Sequence, residues 1–529
     1  MKNLRESLVI FLIFLMFFVF AFKLYSIQIK KADYYKALAQ GLSNKKEEIK
    51  RGKIYFKNKE VLATNLEKYS LYFFPEEINE QTIKNFEKVL KILNLPKKEL
   101  KKKEPILIKD DVTMEEIKKL EKEKINGIFY KREIKRVYPK NEIACHLLGF
   151  VNKEGNGQYG LEEYFEKELS SGNDLILTLE APIQIEAERI LAQKSKDLGY
   201  EKGEILVLDP FTGKILALAN FPFFNPNAFN LSSKDLSIFK NFSTQELFEP
   251  GSSFKPITFA AALDLKRITP QEEYFDEGKV KIGGWEITNF AQKKYGRQNM
   301  TNVLEKSINT GAVYVVNKLK KEEFLEYVKN FGFFEKTGIE LPEIYSQNSE
   351  LKKGAPINLA TASFGQGIEV TSIQLAVAFA AIANGGYLVK PTLVEKIGDS
   401  LQIEFSNEKK RVILPGTSQT LTRMLISVVE NGFGKTAKIK GYYIAGKTGT
   451  AQISFSNLGI PKKGYSELTI QTFVGYFPAF KPKYLILVKL FNPKSKTAEY
   501  SAAPIFREMA EFLISYSKIP PDYQIIEEK

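Results

Sequence analysis

The most strongly patterned stretch of the chain lies near its start, where Leu8 to Phe22 (LVIFLIFLMFFVFAF) runs for fifteen residues without a polar side chain. As a helix this run spans about 22 Å at about 1.5 Å per residue, short of the roughly 30 Å hydrocarbon core of a bilayer. It reaches that thickness if Lys23 snorkels and the helix continues through Leu24, Tyr25 and Ile27. Small residues are nearly absent, and Ala21-Phe22-Lys23 stands where a cleavage site would need A-x-A. The pattern therefore argues for an uncleaved signal-anchor over a cleaved signal peptide or a buried core helix. Lys2 and Arg5 before the run, against Lys23, Lys30 and Lys31 after it, leave its orientation open.

Beyond this segment the periodicity changes repeatedly. Tyr34 to Gln40 has helical spacing, and Arg51-Gly52-Lys53-Ile54 opens a strand-rich stretch that runs through Phe74. Ile83, Phe86, Leu90 and Leu93 recur at the spacing of one helix face. Thr113-Met-Glu-Glu116 reads as a capping box, with Ile117 and Leu120 as the apolar positions of the helix it opens. Glycine-punctuated turns follow at 155–157 and 170–172. From Leu175 the texture differs: a strand to Leu179, a helix from Pro182 to Leu198, then Gly203 to Pro210 and Lys214 to Leu218 as a hairpin around Pro-Phe-Thr-Gly. A long middle reads as helical. Strand patterns return at 442–445, 469–476 and 484–491, before a closing helix from Ala503 to Tyr516. Strands at both ends with helices between predict one α+β domain whose antiparallel sheet is assembled from its two termini.

Composition narrows the chemistry. Among 529 residues there is one Cys and one His, the adjacent pair Cys145 and His146, too few for a structural zinc site or an intramolecular disulfide. Any imidazole mechanism would have to use His146, so the pattern points to a carboxylate or a lysine as general base. The 77 Lys+Arg against 63 Asp+Glu leave a net charge of +14, of which +9 falls in residues 1–172. The lysine-rich stretches at 97–103 and 118–124 are mixed with Glu at helical spacing, as solvated helix faces are, and do not form a nucleic-acid surface.

Three short motifs carry the chemistry. Ser252-Ser-Phe-Lys255 is S-x-x-K, which on a helix puts a hydroxyl and an amine on one face. A serine needs a neighbouring base to attack a carbonyl, and Lys255 serves only if burial and a nearby cation keep its amine neutral. Pro256 fits only near a helix start, which would place the Ser252 N–H where an oxyanion could be held. Ser307-Ile-Asn309 offers a second hydroxyl and a carboxamide able to orient the lysine or bind a substrate amide. Lys447-Thr-Gly-Thr450 follows a strand-like Tyr443 to Gly446, with Gly449 expected to let a ligand approach the strand edge. Decoys exist for each: Ser43…Lys46, Ser237…Lys240, a polar-loop Ser346-Gln-Asn348 read as solvent-facing, and Lys-Thr-Gly at 336–338.

The order of the motifs, with Glu249-Pro-Gly-Ser-Ser-Phe-Lys-Pro256, Gly365-Gln-Gly367, Val370-Thr-Ser-Ile-Gln374, Asn384-Gly-Gly386 and Ala445-Gly-Lys-Thr-Gly-Thr-Ala-Gln452, resembles the transpeptidase domain of penicillin-binding proteins. Phe22 to Ile29, Arg51-Gly52, Leu62-Ala63, Arg136-Val-Tyr-Pro139, His146 to Val151 and Gly160-Leu-Glu162 resemble the anchor and pedestal of the class B, monofunctional branch, most of all its cell-division subfamily, with the elongation subfamily close behind. The resemblance implies a tail and transmembrane signal-anchor at 1–29, a non-catalytic α+β pedestal at 30–174, and at 175–529 an α+β transpeptidase domain with a five-stranded antiparallel sheet. It further implies cross-linking of peptidoglycan stem peptides without a cofactor or metal. Ser252 would be the nucleophile, Lys255 the base and Ser307 a proton relay. Asn309 would hold the substrate amide, Lys447 would supply charge, and Thr448, Gly449 and Thr450 would lie against the substrate carboxylate. The N–H groups of Ser252 and Thr450 would hold the oxyanion. β-Lactams would acylate Ser252, and a SEDS-type (FtsW-like) membrane glycosyltransferase and other divisome proteins would be partners. A peptidoglycan substrate would place the short N-terminus in the cytoplasm and the rest outside the inner membrane. His146 and Cys145 belong to the pedestal pattern and read as structural.

This chain has Phe56-Lys-Asn-Lys59, Glu180 and Phe334 where the family usually has Asp-Arg-Asn-Gly, Asp and Gly. Two other functions stay open at this point: a β-lactamase or D,D-carboxypeptidase, for which no E-x-x-L-N lies between Ser307 and Lys447, and a non-catalytic partner of a membrane glycosyltransferase.

Overall fold

A computed structural model describes residues 2–30, 50–75, 78–100, 105–232, 235–398, 401–402 and 410–524. The helix expected at Tyr34 to Gln40 and the Ser43…Lys46 decoy lie outside them. Helix α1 spans Lys2–Tyr25, and its apolar side chains from Val9 to Phe22 are exposed. Its first turns carry Lys2, Arg5 and Glu6, so its uninterrupted apolar part is only the fifteen-residue run. Among the described residues no helix is long and apolar enough to cross a membrane.

The chain forms two compact units, residues 1–51 with 65–137, and residues 52–64 with 138–529. Residues 138–174 thus pack with the second unit. Strands β1 (Ile54–Tyr55) and β2 (Val61–Phe73) are followed by α2 (Glu80–Ile92), β3 (Ile106–Lys109), α3 (Met114–Lys122) and β4 (Ile128–Val137). In the first unit β3 pairs antiparallel with the end of β2, and β4 also pairs with β2. Leu71 and Phe73 pack with Phe86, Val89, Leu90, Ile117 and Leu120 in one core, so the predicted faces of α2 and α3 are the ones buried. Each helix start is satisfied locally, Asn79 Oδ1 accepting from Thr82 N at 2.9 Å and Thr113 with Glu116 closing the expected capping box.

In the second unit β5 (Leu175–Leu177) is followed by α4 (Ala181–Leu198), β6 (Lys202–Leu208), β7 (Ile215–Phe221), α5 (Lys255–Asp264), α6 (Asn309–Val316), α7 (Ser372–Ala383), α8 (Pro415–Asn431), β8 (Ala445–Ser454), β9 (Tyr465–Phe477), β10 (Tyr484–Phe491) and α9 (Ala502–Tyr516). The main sheet is antiparallel in the order β8-β9-β10-β6-β7, built from the two ends of the domain as the pattern predicted. Both faces are covered. Ile205, Val207, Ile486 and Val488 pack with α4 and α9 residues such as Ile190, Phe506 and Leu513, while Leu206, Leu208, Leu485 and Leu487 face a second core that includes α5, α7 and α8. Every residue of α7 is buried, which accounts for its lack of a polar face.

Three expectations are corrected. Strand β5 is not part of the main sheet; it pairs in parallel with β1 and antiparallel with Val394–Ile397. The middle read as helical contains two hairpin pairings, Glu273–Asp276 with Gly296–Asn299 and Lys279–Ile282 with Trp285–Thr288. Their strands are four residues long and mostly exposed on at least one face, so no period of two stood out. Finally, β8 starts at Ala445 and runs through Lys447 to Thr450; the motif is inside the strand and does not follow it.

Cys145 and His146 are buried side by side. His146 Nε2 lies 2.9 Å from the Ile238 carbonyl and its ring packs against Phe224 and Phe242. Burial pushes its pKa down to about 4. Glu180 stands immediately before α4 without capping it, and instead accepts hydrogen bonds from Lys57 Nζ at 2.8 Å and the Tyr516 hydroxyl at 3.2 Å.

Candidate active site

The first two motifs and the third converge. Ser252 lies in a short 3-10 turn, Gly251–Phe254, that feeds directly into α5, with Pro256 in the first helical turn where its missing N–H costs nothing. That geometry brings Lys255 Nζ to 2.7 Å from Ser252 Oγ. The same nitrogen lies 2.8 Å from the Ser307 carbonyl oxygen, 3.3 Å from Ser307 Oγ and 2.9 Å from Asn309 Oδ1. A neutral amine has two N–H groups and one lone pair. The Ser307 carbonyl and Asn309 Oδ1 can only accept, so they take both N–H groups and leave the lone pair for the Ser252 hydroxyl.

Electrostatics favour that neutral form. Lys255 is 0% exposed, and its pKa lies well below the ordinary lysine range, first because burial removes the ammonium from water and second because the charge of Lys447 opposes it. Burial also lowers Lys447, to about 7. Lys447 Nζ donates to Ser307 Oγ at 2.9 Å, so this hydroxyl bridges the two lysines and can relay a proton between them. Ser307 itself has φ +53°, in the left-handed region, which turns both its carbonyl and its hydroxyl toward Lys255. The other side of the Asn309 carboxamide donates to the Thr288 carbonyl at 3.1 Å, which leaves one N–H for a ligand. Thr450 Oγ1 accepts from Ala498 N at 3.1 Å, and the Thr448 side chain is buried beside Lys447.

Gly449 is packed closely against the serine turn. A Cβ built on it would sit 2.4 Å from Thr472 Oγ1, 2.7 Å from the Pro250 carbonyl and 3.1 Å from Ser253 Oγ. Its bareness lets β8 press against the turn that carries Ser252. The decoy Ser346-Gln-Asn348 is also corrected. Asn348 is buried, with its Oδ1 accepting from Glu369 N at 2.8 Å and its Nδ2 donating to Glu369 O at 3.0 Å. It clamps the segment after Gly367. Ser237 of the other decoy donates its hydroxyl to Asp235.

A residue flanking the first motif, Glu249, ties two loops together. Glu249 Oε1 accepts from Gly367 N at 3.0 Å and from the Tyr465 hydroxyl at 3.2 Å, and burial raises its pKa to about 7. Together with mutual backbone bonds between Phe248 and Val370, and Gly251 N to Gly365 O at 2.9 Å, it ties residues 248–251 to 365–370 just before the serine. The flanking glycine motif was the available signal. Cavities of about 220 and 590 Å³ lie further along β8, sharing Glu249, Ser454 and Asn457 in their walls; Ser252 lines neither. Among the described residues no cluster of His, Cys, Asp and Glu could hold a metal ion.

Residues 203–511 match the model of the penicillin binding protein transpeptidase domain. The chain belongs to that family. Residues 46–176 also match the penicillin-binding protein dimerisation domain, as class B members do. Among curated relatives, this penicillin-binding protein is 31% identical over 456 residues to a peptidoglycan D,D-transpeptidase FtsI homolog of Mesostigma viride, covering 75% of each chain. It is 28% identical to stage V sporulation protein D of Bacillus subtilis, covering 91% of this chain and 80% of the relative. It is 29% identical to FtsI of Escherichia coli K12, covering 77% and 71%. Penicillin binding protein 3 of Mycobacterium tuberculosis, solved with aztreonam, shares the fold with a TM-score of 0.72 at 24% identity, over 90% of this chain and 98% of that one.

Proposed function

We propose that this class B penicillin-binding protein is a serine-type peptidoglycan D,D-transpeptidase that acts in septal wall synthesis and is acylated by β-lactams. The observation that carries the reading is the Lys255 amine, desolvated and held by two acceptor-only oxygens so that its lone pair meets Ser252. Lys255 takes the Ser252 proton as Oγ attacks the penultimate D-Ala carbonyl of a stem peptide. The N–H groups of Ser252 and Thr450 receive the oxyanion, and Ser307, between the two lysines, passes the proton to the departing D-Ala amine. Lys447, Thr448 and Thr450 receive the terminal carboxylate, while the remaining Asn309 N–H holds the substrate amide. An amine of a second strand then attacks the acyl-serine by the reverse proton path.

The relatives named FtsI support the septal role, and the exposed apolar side chains of α1 support a membrane anchor. α1 spans the inner membrane once if its polar flank snorkels, the bulk of the chain lies outside the cytoplasm, and α1 is the surface available to an FtsW-like glycosyltransferase. Intact-mass spectra of the purified protein with benzylpenicillin over hours test the chemistry. A stable adduct in wild type, absent in Ser252→Ala, is expected. Rapid turnover without an accumulating adduct would make the protein a lactamase, and no reaction at all would remove the enzymatic reading.

A further inference from the structure

The base pair of this site, Lys255 and Asn309, is wired to a buried carboxylate that no motif contains. Asp276 is 1% exposed. Its Oδ1 accepts from Gly278 N at 3.0 Å and from the Thr310 hydroxyl at 2.6 Å, its Oδ2 accepts from Tyr295 N at 2.8 Å, and Asn289 Nδ2 donates to both oxygens at 3.1 and 2.9 Å. Asn289 in turn uses its Oδ1 to accept from Thr310 N at 3.1 Å. Helix α6 starts at Asn309 with no side-chain cap from Ile308, so one of its orphan N–H groups is satisfied from the hairpin instead. The residue before Asn289 supplies the carbonyl that fixes Asn309: Thr288 O accepts from Asn309 Nδ2 at 3.1 Å. Residues 288 and 289 are thus laid against residues 309 and 310, and Asp276 sets where that seam lies.

We propose that Asp276, through Asn289 and Thr310, is a positioning residue that holds Asn309 Oδ1 on the Lys255 amine and so sets the geometry of the serine–lysine pair. This rests on the serine-enzyme reading above. An asparagine at 276 cannot substitute, because either orientation of its amide turns an NH₂ toward a donor, Gly278 N and the Thr310 hydroxyl on one side or Tyr295 N on the other. The misplacement is felt first in the step that uses Lys255 and, because the same carboxamide offers its other N–H to the substrate amide, to a smaller extent in binding.

The test follows acylation of the full-length protein, in detergent, by a fluorescent penicillin over a range of concentrations, which separates the non-covalent dissociation constant from the acylation rate constant. Asp276→Asn and Thr310→Val are expected to lower the rate constant at least tenfold, with the dissociation constant rising by a smaller factor than the rate constant falls. Thr310→Ser, which keeps the hydroxyl, is expected to restore the rate to within about threefold of wild type. Should Asp276→Asn not fold, the valine and serine pair at 310 decides alone. Wild-type rates in the variants, a loss as large in the serine as in the valine variant, or an effect confined to the dissociation constant overturns the positioning role alone. A wild-type protein that takes no label removes the serine-enzyme reading and this role with it.

Discussion

Gly449→Ala separates two meanings of a glycine beside a reactive serine. If the glycine serves a ligand's approach, the variant folds as the wild type does and only binding weakens. The structure assigns the space elsewhere: the added methyl would lie 2.7 Å from the Pro250 carbonyl and 3.1 Å from Ser253 Oγ, both on the turn holding Ser252, and 2.4 Å from Thr472 Oγ1 on the neighbouring strand. The first is backbone and cannot rotate away, so either β8 or the turn must shift by several tenths of an ångström. Overpacking of this kind costs about 1–3 kcal/mol. A displacement of Ser252 approaching 1 Å would slow acylation by about 100-fold, since the attack depends on near-contact geometry. The assays are thermal or urea unfolding together with the penicillin acylation rate. A variant with unchanged stability and unchanged acylation rate would refute the packing argument, and unchanged stability with weakened binding alone would restore the ligand-approach reading.

Acylation should fall as pH drops through the depressed Lys255 pKa, because only the neutral amine accepts the serine proton; in Lys447→Ala the loss of a like charge favours the ammonium and moves this acid limb to higher pH, measurable as a pH–rate profile. His146 titrates in the folded protein at about 4 against an ordinary value of 6.5, so the fold binds fewer protons than the unfolded chain between these values. Its stability contribution is intact above pH 6.5 and falls by about 3 kcal/mol as pH drops to 4, a slope that urea midpoints should show diminished in His146→Gln. Asn348→Ala leaves the Glu369 backbone N–H and carbonyl without their partners and should destabilise by about 1–3 kcal/mol in unfolding experiments, whereas a solvent-facing asparagine would cost almost nothing.

Legibility tracked the length and contrast of each pattern. β6, β7 and β10 stood out because apolar runs buried on both faces of one sheet admit few other readings, and α9 because its apolar positions recur at helical spacing. The capping box at Thr113 was readable because its hydrogen bonds close within four residues. The hairpin strands between Glu273 and Asn299 were not, being short and half-exposed, and neither was the partner of β5, since pairing across more than two hundred residues leaves no local trace.

The same division holds at the site. By itself the sequence determined the reactive groups: one histidine placed in a structural pattern, three motifs in a recognisable order, and a lysine three residues from a serine where helical spacing must bring them together. Only the tertiary structure decided what state that lysine is in. Its neutrality depends on full burial, on Lys447 arriving on an edge strand 192 positions further along the chain, and on acceptors presented by Ser307 in the turn before α6 and by Asn309 at the start of α6. It also showed Gly449 in close contact with the serine turn, turned Asn348 from a surface residue into a clamp, and made Asp276 the centre of a buried network. Desolvation and hydrogen-bond geometry belong to positions in space, and neighbours in sequence do not specify them.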